Sequence, residues 1–265
     1  MFRKKSIKVS PKKYQGKGIF FGLNYNGPNK LHGCENDSRN LMKYFSDKGL
    51  ECEMFIGRRP TKSFIIEQIR NLGQSSYQGI RNFVIQYSGH GTSIGDRNGD
   101  EKNGSDEALV GYDLNFISDD ELFKLLCDFH PESNIISIID ACHSGSMLDL
   151  PYSYININSS EDFQLNTDSQ GGVGCFKENG NQMQQKVIMI SGCRDSQYST
   201  DTYSSIRRES CGALTDALLN HGDFIELPIF NLKASVESIV SCYNQLPCVS
   251  SSFKLINQPL SSIYI

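Results

Sequence analysis

The chain has 265 residues, 38% of them hydrophobic and 21% charged, with 15 Phe and 12 Tyr; this is a folded domain long enough to bury a substantial core, which excludes a disordered tail. Lys and Arg number 26 against 30 Asp and Glu, and a formal charge of −4 leaves no global basic field for nucleic acid. Nine cysteines at irregular spacings, with no C-x-x-C pair, argue against a zinc ribbon or disulfide scaffold and for a reducing compartment.

The start, MFRKKSIKVSPKK, carries six Lys or Arg with no apolar run after it that could act as a signal or a membrane span. Residues 1–17 therefore read as a solvated basic arm, and the expected location is cytoplasmic, with a nuclear one as alternative. Ile19 to Tyr25 is short, apolar and aromatic-rich, the pattern of a buried parallel strand. Helical periods follow over Arg39 to Lys48, ending at Gly49, and over Phe64 to Leu72, ending at Gly73, each glycine standing where a helix C-cap is expected. Phe83 to Tyr87 predicts a second strand; Ser118-Asp-Asp-Glu121 is a capping box ahead of Leu122, Leu125 and Leu126 on one helical face; Ile135 to Ile139 predicts a third strand.

Between Pro151 and Gln185 the pattern lapses into Ser, Asn, Gly and Gln, which predicts a long exposed loop between a larger part (18–150) and a smaller part (186–265). The smaller part opens on a strand over Val187 to Ile190 and continues with helices near Ala213 to Leu219 and Leu232 to Tyr243. The alternation predicts a single α/β domain over 18–265, with a mostly parallel central sheet flanked by helices on both faces.

Tyr87-Ser-Gly-His90-Gly91 follows one predicted strand and Asp140-Ala-Cys142-His-Ser-Gly145 another. In open α/β sheets chemistry gathers beyond the carboxyl ends of the strands, and neighbouring strands lie ~4.8 Å apart, so an imidazole and a thiol at adjacent ends can meet. A thiol with a pKa near ~8.5 needs a base to become a nucleophile, and the same base can return the proton to a leaving amine. The backbone N–H groups of Gly91 and Cys142 are natural donors to an oxyanion. A lone cysteine after a strand is more often packed core; the co-occurrence of the two motifs favours chemistry. His143 adjoins Cys142, but its side chain should diverge from the thiol, which favours His90 as the base.

YSGHG followed about fifty residues later by D-x-C-H-S-G resembles the signature of caspase-fold peptidases, and of metacaspases in particular. Leu23-Asn-Tyr, Leu31-His-Gly-Cys-Glu-Asn-Asp37, the acidic stretch Asp96 to Glu107, Leu148-Asp-Leu-Pro151 and Ser191-Gly-Cys-Arg-Asp195 look like metacaspase segments in the family's order, so the likeness runs from about Gly18 to Leu219. The pattern resembles a type I metacaspase without its usual N-terminal prodomain. Ala141, where many members have Ser, and Gln86, where many have an aromatic or His, are departures.

The resemblance implies cleavage after Arg or Lys. Asp37 and Asp140 stand where the family builds its pocket, with Cys34 and Ser88 expected to line it, and paired carboxylates suit a guanidinium. For Asp37 the competing reading is a helix-start acid that accepts backbone N–H groups. Asp96, Asn98, Asp100 and Glu107 imitate an EF-hand loop, but Glu101 stands where that loop needs glycine. Asp106, Asp119, Asp120 and Asp149 instead match the family's calcium positions, which implies Ca2+ as cofactor; helix capping is the other reading of Asp119 and Asp120. The expected activity is thus a calcium-stimulated cysteine endopeptidase acting through His90 and Cys142 on protein or peptide substrates. An inactive caspase-fold scaffold and a caspase-fold peptidase of different specificity are the alternatives. Lys177 and Lys186 in the loop are candidates for self-cleavage, and by analogy the chain is expected to be a monomer.

Overall fold

The computed structural model describes residues 14–95, 105–154, 164–165, 176–177, 181–193 and 201–264. Its elements in chain order are β1 (Lys17–Gly22), α1 (Cys34–Lys48), β2 (Glu51–Ile56), α2 (Lys62–Ser76), β3 (Asn82–Ser88), β4 (Gly91–Gly95), β5 (Ser105–Val110), β6 (Phe116–Ser118), α3 (Asp119–Cys127), β7 (Asn134–Asp140), β8 (Tyr152–Tyr154), β9 (Gln164–Leu165), β10 (Phe176–Lys177), β11 (Asn181–Gln182), β12 (Lys186–Ser191), β13 (Asp201–Ser204), β14 (Glu209–Gly212), α4 (Ala213–Asn220), α5 (Ile229–Val240) and β15 (Cys248–Ser251).

The main sheet has eight strands in the order β2-β1-β3-β7-β12-β15-β8-β9. The first five run parallel to one another, and β15, β8 and β9 extend the sheet antiparallel. β3, β7 and β12 read as near-continuous apolar runs because both of their faces are covered. Alternate residues face two separate hydrophobic clusters. Phe21, Ile85, Ile135 and Met189 pack with Ile65, Ile69 and Leu72 of α2 and Leu122, Leu125 and Leu126 of α3. Phe20, Val84, Ile136 and Ile190 pack with Leu41 and Phe45 of α1, Leu214 and Leu218 of α4, and Val236 of α5. The expected α/β architecture, with helices on both faces, is what the chain forms.

Gly49 caps α1 in the left-handed conformation, at φ 114°, and the capping box of Ser118 and Glu121 starts α3. Gly73 departs from expectation: α2 runs through it to Ser76, and a Cβ there would meet the Phe129 ring at 3.1 Å. Its smallness serves close packing, not capping. β2 escaped the periodicity reading because it is an edge strand in which Glu51 and Glu53 face solvent, a charge pattern that protects an open edge. The expected loop from Pro151 is ordered at its start, where β8 pairs with β15. The domain also begins before Gly18: Tyr14 donates its amide to Lys48 O at 3.0 Å and sets its ring edge-on against Tyr264. Among the described residues no helix is long and apolar enough to cross a membrane. Residues 1–13, which hold most of the expected basic arm, 96–104, with the EF-hand-like Asp96, Asn98, Asp100 and Glu101, most of the stretch from 155 to 180 in the expected loop, and 194–200 lie outside the described residues.

Candidate active site

Ser88 and Asp140 form the last pair of the β3–β7 ladder. His90 and Cys142 therefore stand equally far beyond one level of two neighbouring parallel strands. The Gly89 N–H donates to Asp140 O at 3.3 Å, tying the two strand ends together. Gly91 explains the glycine of the first motif: a Cβ there would overlap the Cys142 carbonyl oxygen and lie 3.0 Å from its carbon and 3.3 Å from Ala141 Cβ.

Four contacts hold the half-buried His90. Its N–H donates to Tyr25 Oη at 3.1 Å, its carbonyl accepts from Tyr87 Oη at 2.8 Å and from Val110 N at 3.1 Å, and its ring lies against that of Tyr25 with centroids 4.6 Å apart. Its Nε2 is 2.7 Å from the Asn29 carbonyl. A carbonyl only accepts, so Nε2 carries the proton and, in the neutral ring, Nδ1 keeps the basic lone pair. The trans peptide that points His90 O at β5 points the Gly91 N–H the opposite way, off that sheet.

Cys142 is half-buried and free of disulfide. The residue after it, His143, has φ 50°, a left-handed turn that few non-glycine residues adopt and that reverses the chain just past the thiol. The preceding carbonyl, of Ala141, accepts from Ser144 Oγ at 2.8 Å and Cys193 Sγ at 3.2 Å. Burial pushes the Cys193 and Cys211 thiols up to about 12, so neither supplies a thiolate at neutral pH.

Of the four residues expected to line a pocket, Asp37 and Asp140 meet at Gly212 and Thr215 around the start of α4, and Ser88 pairs with Asp140 in the β3–β7 ladder. Asp37 is buried and accepts from the Gly212 N–H through both carboxylate oxygens, at 2.9 and 3.0 Å. Asp140, also buried, accepts through Oδ2 from Thr215 N and Thr215 Oγ1, each at 3.0 Å. Both carboxylates thus sit at the start of α4, where backbone N–H groups lack helical partners; Asp37 lies in the first turn of α1, so it joins that helix to the start of α4. Cys34, the first residue of α1, and Ser88 are also buried. Ser88 Oγ accepts from Gln86 Nε2 at 2.8 Å, and Gln86 Oε1 accepts from Ser38 Oγ at 2.7 Å, so the departure at Gln86 links α1 to β3 by a buried polar chain.

Asp106, Asp119 and Asp120 form one group, with a ligand oxygen from each within 4.8 Å of the others. Asp149 is not in that group; it lies in the loop after Cys142 with φ 43°. Glu107 connects the two regions, its N–H donating to Asp119 Oδ2 at 3.0 Å and its Oε2 accepting from Ser146 Oγ at 2.9 Å. Lys186 is the first residue of β12, side chain exposed, with its N–H donating to Ser133 O at 2.9 Å; the peptide bond after it lies within the central sheet. Lys177 ends β10. Asn29, Tyr25, Gln86, Thr215 and Glu107 escaped sequence reasoning as site-forming groups. Tyr25 carried a signal in the Leu23-Asn-Tyr segment, Gln86 stood out as a departure and Glu107 as part of the acidic stretch, whereas the Asn29 carbonyl and the placement of Thr215 are displayed by no motif.

Comparison with known proteins places the chain in a family. The family described as caspase domain matches residues 15–255. Metacaspase-1B of Aspergillus niger is 30% identical over 250 residues, covering 77% of this chain and 56% of the relative. Metacaspase-2 of Trypanosoma brucei brucei is 32% identical over 203 residues, covering 70% of this chain and 56% of the relative. The chain thus spans a little over half the length of these two relatives. The crystal structure of protein GSU0716 from Geobacter sulfurreducens superposes with a TM-score of 0.65 at 20% identity, covering 94% of this chain and 96% of that one, which bears on the fold alone. With the fold, the two strand-end motifs and the profile match in agreement, the chain belongs to the caspase-domain family of cysteine peptidases and, within it, to the metacaspases.

Proposed function

We propose that the protein is a cysteine endopeptidase that cleaves after Arg or Lys, with Cys142 as nucleophile and His90 as base. The observation that carries the reading is the common strand level of the two residues, with Asp37 and Asp140 buried close by at the start of α4. In this mechanism His90 Nδ1 takes the thiol proton and Cys142 Sγ attacks the scissile carbonyl. The Gly91 and Cys142 amides receive the developing oxyanion. The imidazolium then gives its proton to the leaving amine, and water, deprotonated by the same ring, hydrolyses the acyl-enzyme. The Asn29 carbonyl holds the Nε2 proton throughout. The pocket acids offer oxygens that a guanidinium can bind with two parallel N–H donors.

The carboxylates of Asp106, Asp119 and Asp120 fit a calcium ion, which takes six to eight oxygens at ~2.3–2.6 Å and so tolerates the spacing seen. A bound ion would supply the positive charge that relieves their mutual repulsion. The path from Asp119 through Glu107 to Ser146 gives that relief a mechanical connection to the nucleophile loop. Self-cleavage belongs to the same reading, at Lys177 in preference to Lys186, whose peptide bond would first have to leave the sheet. The test is a calcium titration of cleavage on paired Arg, Lys and Asp peptides, with Cys142→Ala as control. Calcium-dependent cleavage of the basic peptides is expected. Failure across a basic panel would favour a scaffold; cleavage after Asp would overturn the specificity.

A further inference from the structure

We infer that Tyr25 is a positioning residue for His90, acting through its phenol oxygen and ring, with Tyr87 completing the clamp. This rests on the reading of His90 as the base of Cys142.

Tyr25 and Tyr87 are both buried, and their phenol oxygens lie 3.0 Å apart beneath the His90 loop. Each phenol has one proton to give. Tyr25 Oη donates to Val110 O at 2.6 Å, leaving its lone pairs to accept the His90 N–H at 3.1 Å. Tyr87 Oη donates to His90 O at 2.8 Å and accepts from Val110 N at 3.3 Å. This assignment makes two contacts with phenol protons and two with backbone N–H protons, and places a hydroxyl on each side of the His90 backbone; Val110 O, 2.8 Å from Tyr87 Oη as well, takes its proton from Tyr25. Burial drives both phenols well above the ordinary tyrosine range, so they stay protonated, as the donor roles require.

The side chain is held as well as the backbone. The Tyr25 ring faces the imidazole on one side, and Tyr112 stacks parallel to it, with centroids 6.2 Å apart and planes 1° apart. The Tyr112 hydroxyl in turn accepts from Asn26 Nδ2 at 2.6 Å. Packing the imidazole face against a ring restricts rotation, so Nε2 stays on Asn29 O and Nδ1 stays available to the thiol. Tyr25 itself has φ 48°, a left-handed conformation uncommon for an aromatic residue. Such strain persists only where the surroundings impose it, and here it swings the ring under His90. A tyrosine needed only for core packing would have no use for this turn or for an oxygen committed to the base's own amide.

The test reads the thiol directly. Iodoacetamide alkylation of Cys142, quantified on the peptide that contains it, is compared in the wild type, Tyr25→Phe, His90→Ala and the double variant. His90→Ala should slow alkylation at neutral pH by about tenfold or more, since the base no longer raises the thiolate fraction. Tyr25→Phe, which keeps the ring and removes the oxygen, should slow it by about threefold to tenfold, and kcat for peptide cleavage should fall in parallel at little-changed KM. In the His90→Ala background, Tyr25→Phe should change the rate by less than about twofold, because a residue acting through His90 has nothing left to position. A wild-type rate in Tyr25→Phe, or equal slowing in both backgrounds, overturns the inference. If Tyr25→Phe does not fold, Tyr87→Phe takes its place in the same cycle with the same outcomes. Alkylation needs no peptide substrate, so a protein with this His90 and Tyr25 dependence that cuts no basic peptide refutes the proteolytic reading and leaves the clamp standing.

Discussion

Gly91→Ala isolates the geometry of the dyad from its chemistry, since it alters neither His90 nor Cys142. The backbone at Gly91 is outside the left-handed region, so alanine is conformationally permitted there and only its new carbon matters. That carbon would overlap the Cys142 carbonyl oxygen and sit 3.0 Å from the carbonyl carbon, with Ala141 Cβ at 3.3 Å behind it. Both obstacles belong to backbone or to a rigid stub, so no flexible side chain can yield. The nucleophile segment must retreat by roughly 1 Å, a misplacement that costs about a hundredfold in rate when it separates reacting groups, or ~2.7 kcal/mol in the barrier. Overpacking of this size costs ~1–3 kcal/mol of stability, which a domain with two hydrophobic clusters tolerates. The control is Gly95→Ala on the same strand, whose Cβ would meet nothing within 4 Å. Steady-state kinetics on an Arg peptide, with thermal melting of each variant, should give a fall of about a hundredfold in kcat/KM for Gly91→Ala and almost none for Gly95→Ala. A folded Gly91→Ala enzyme retaining a third or more of wild-type kcat/KM would show that the Gly91–Cys142 approach does not set the catalytic geometry.

Asp37→Asn separates the two roles of that residue: the amide oxygen can still accept the Gly212 N–H while the charge is gone, so KM for Arg peptides should rise by about tenfold or more with little change in Tm. Asp37→Ala should lose both, with a stability cost of ~1 kcal/mol in urea unfolding. Asp119→Asn keeps one acceptor and removes one charge from the acidic group, so half-maximal activation should need about ten times more calcium, while a variant with unchanged dependence would remove Asp119 from the ion's ligands. Cys193 and Cys211 have folded thiol values near 12, raised above the unfolded value by burial. Their contribution to stability is complete below the unfolded value, near 9.0, and is lost as pH rises from there toward about 12. Urea unfolding under reducing conditions should therefore weaken between pH ~8 and ~10 by roughly 1 kcal/mol per thiol, and Cys193→Ala should flatten that dependence.

The sequence displayed the parallel core plainly because strands covered on both faces are near-continuously apolar, as β1, β3, β7 and β12 are. It displayed His90 and Cys142 for the same reason: a polar motif directly after such a run has to lie at a strand end. β2 was hidden by Glu51 and Glu53. The sheet of β4, β5 and β6 was hidden because Gly91 to Gly95 carries two glycines and little apolar content. Gly73 misled because a glycine late in a helix looks the same whether it ends the helix or admits a neighbour's ring; only the position of Phe129 distinguishes the two. In the site, residue types that carry charge were visible, whereas the carbonyl of Asn29 and the amides of Gly212 and Thr215 depend on backbone placement that the folded chain alone creates.

The way the two parts of the chain are joined bears on how such an enzyme can be switched. β12, after the expected loop, pairs with β7, before it, over its full length from Lys186↔Asn134 to Ser191↔Ile139. β8, before most of the loop, pairs with β15 near the end of the chain. Asp37 and Asp140 of the larger part hold Gly212 and Thr215 of the smaller one. A cut near Lys177 would leave all of these contacts in place, because none of them runs through the severed peptide. Cleavage there by itself therefore neither separates the paired strands nor breaks the contacts of Asp37 and Asp140 to the start of α4. On the proposed reading a switch acts on the segment between Cys142 and Leu150, through the hydrogen bond from Ser146 to Glu107, one residue along β5 from Asp106. On that reading, control therefore falls to the acidic group rather than to the loop.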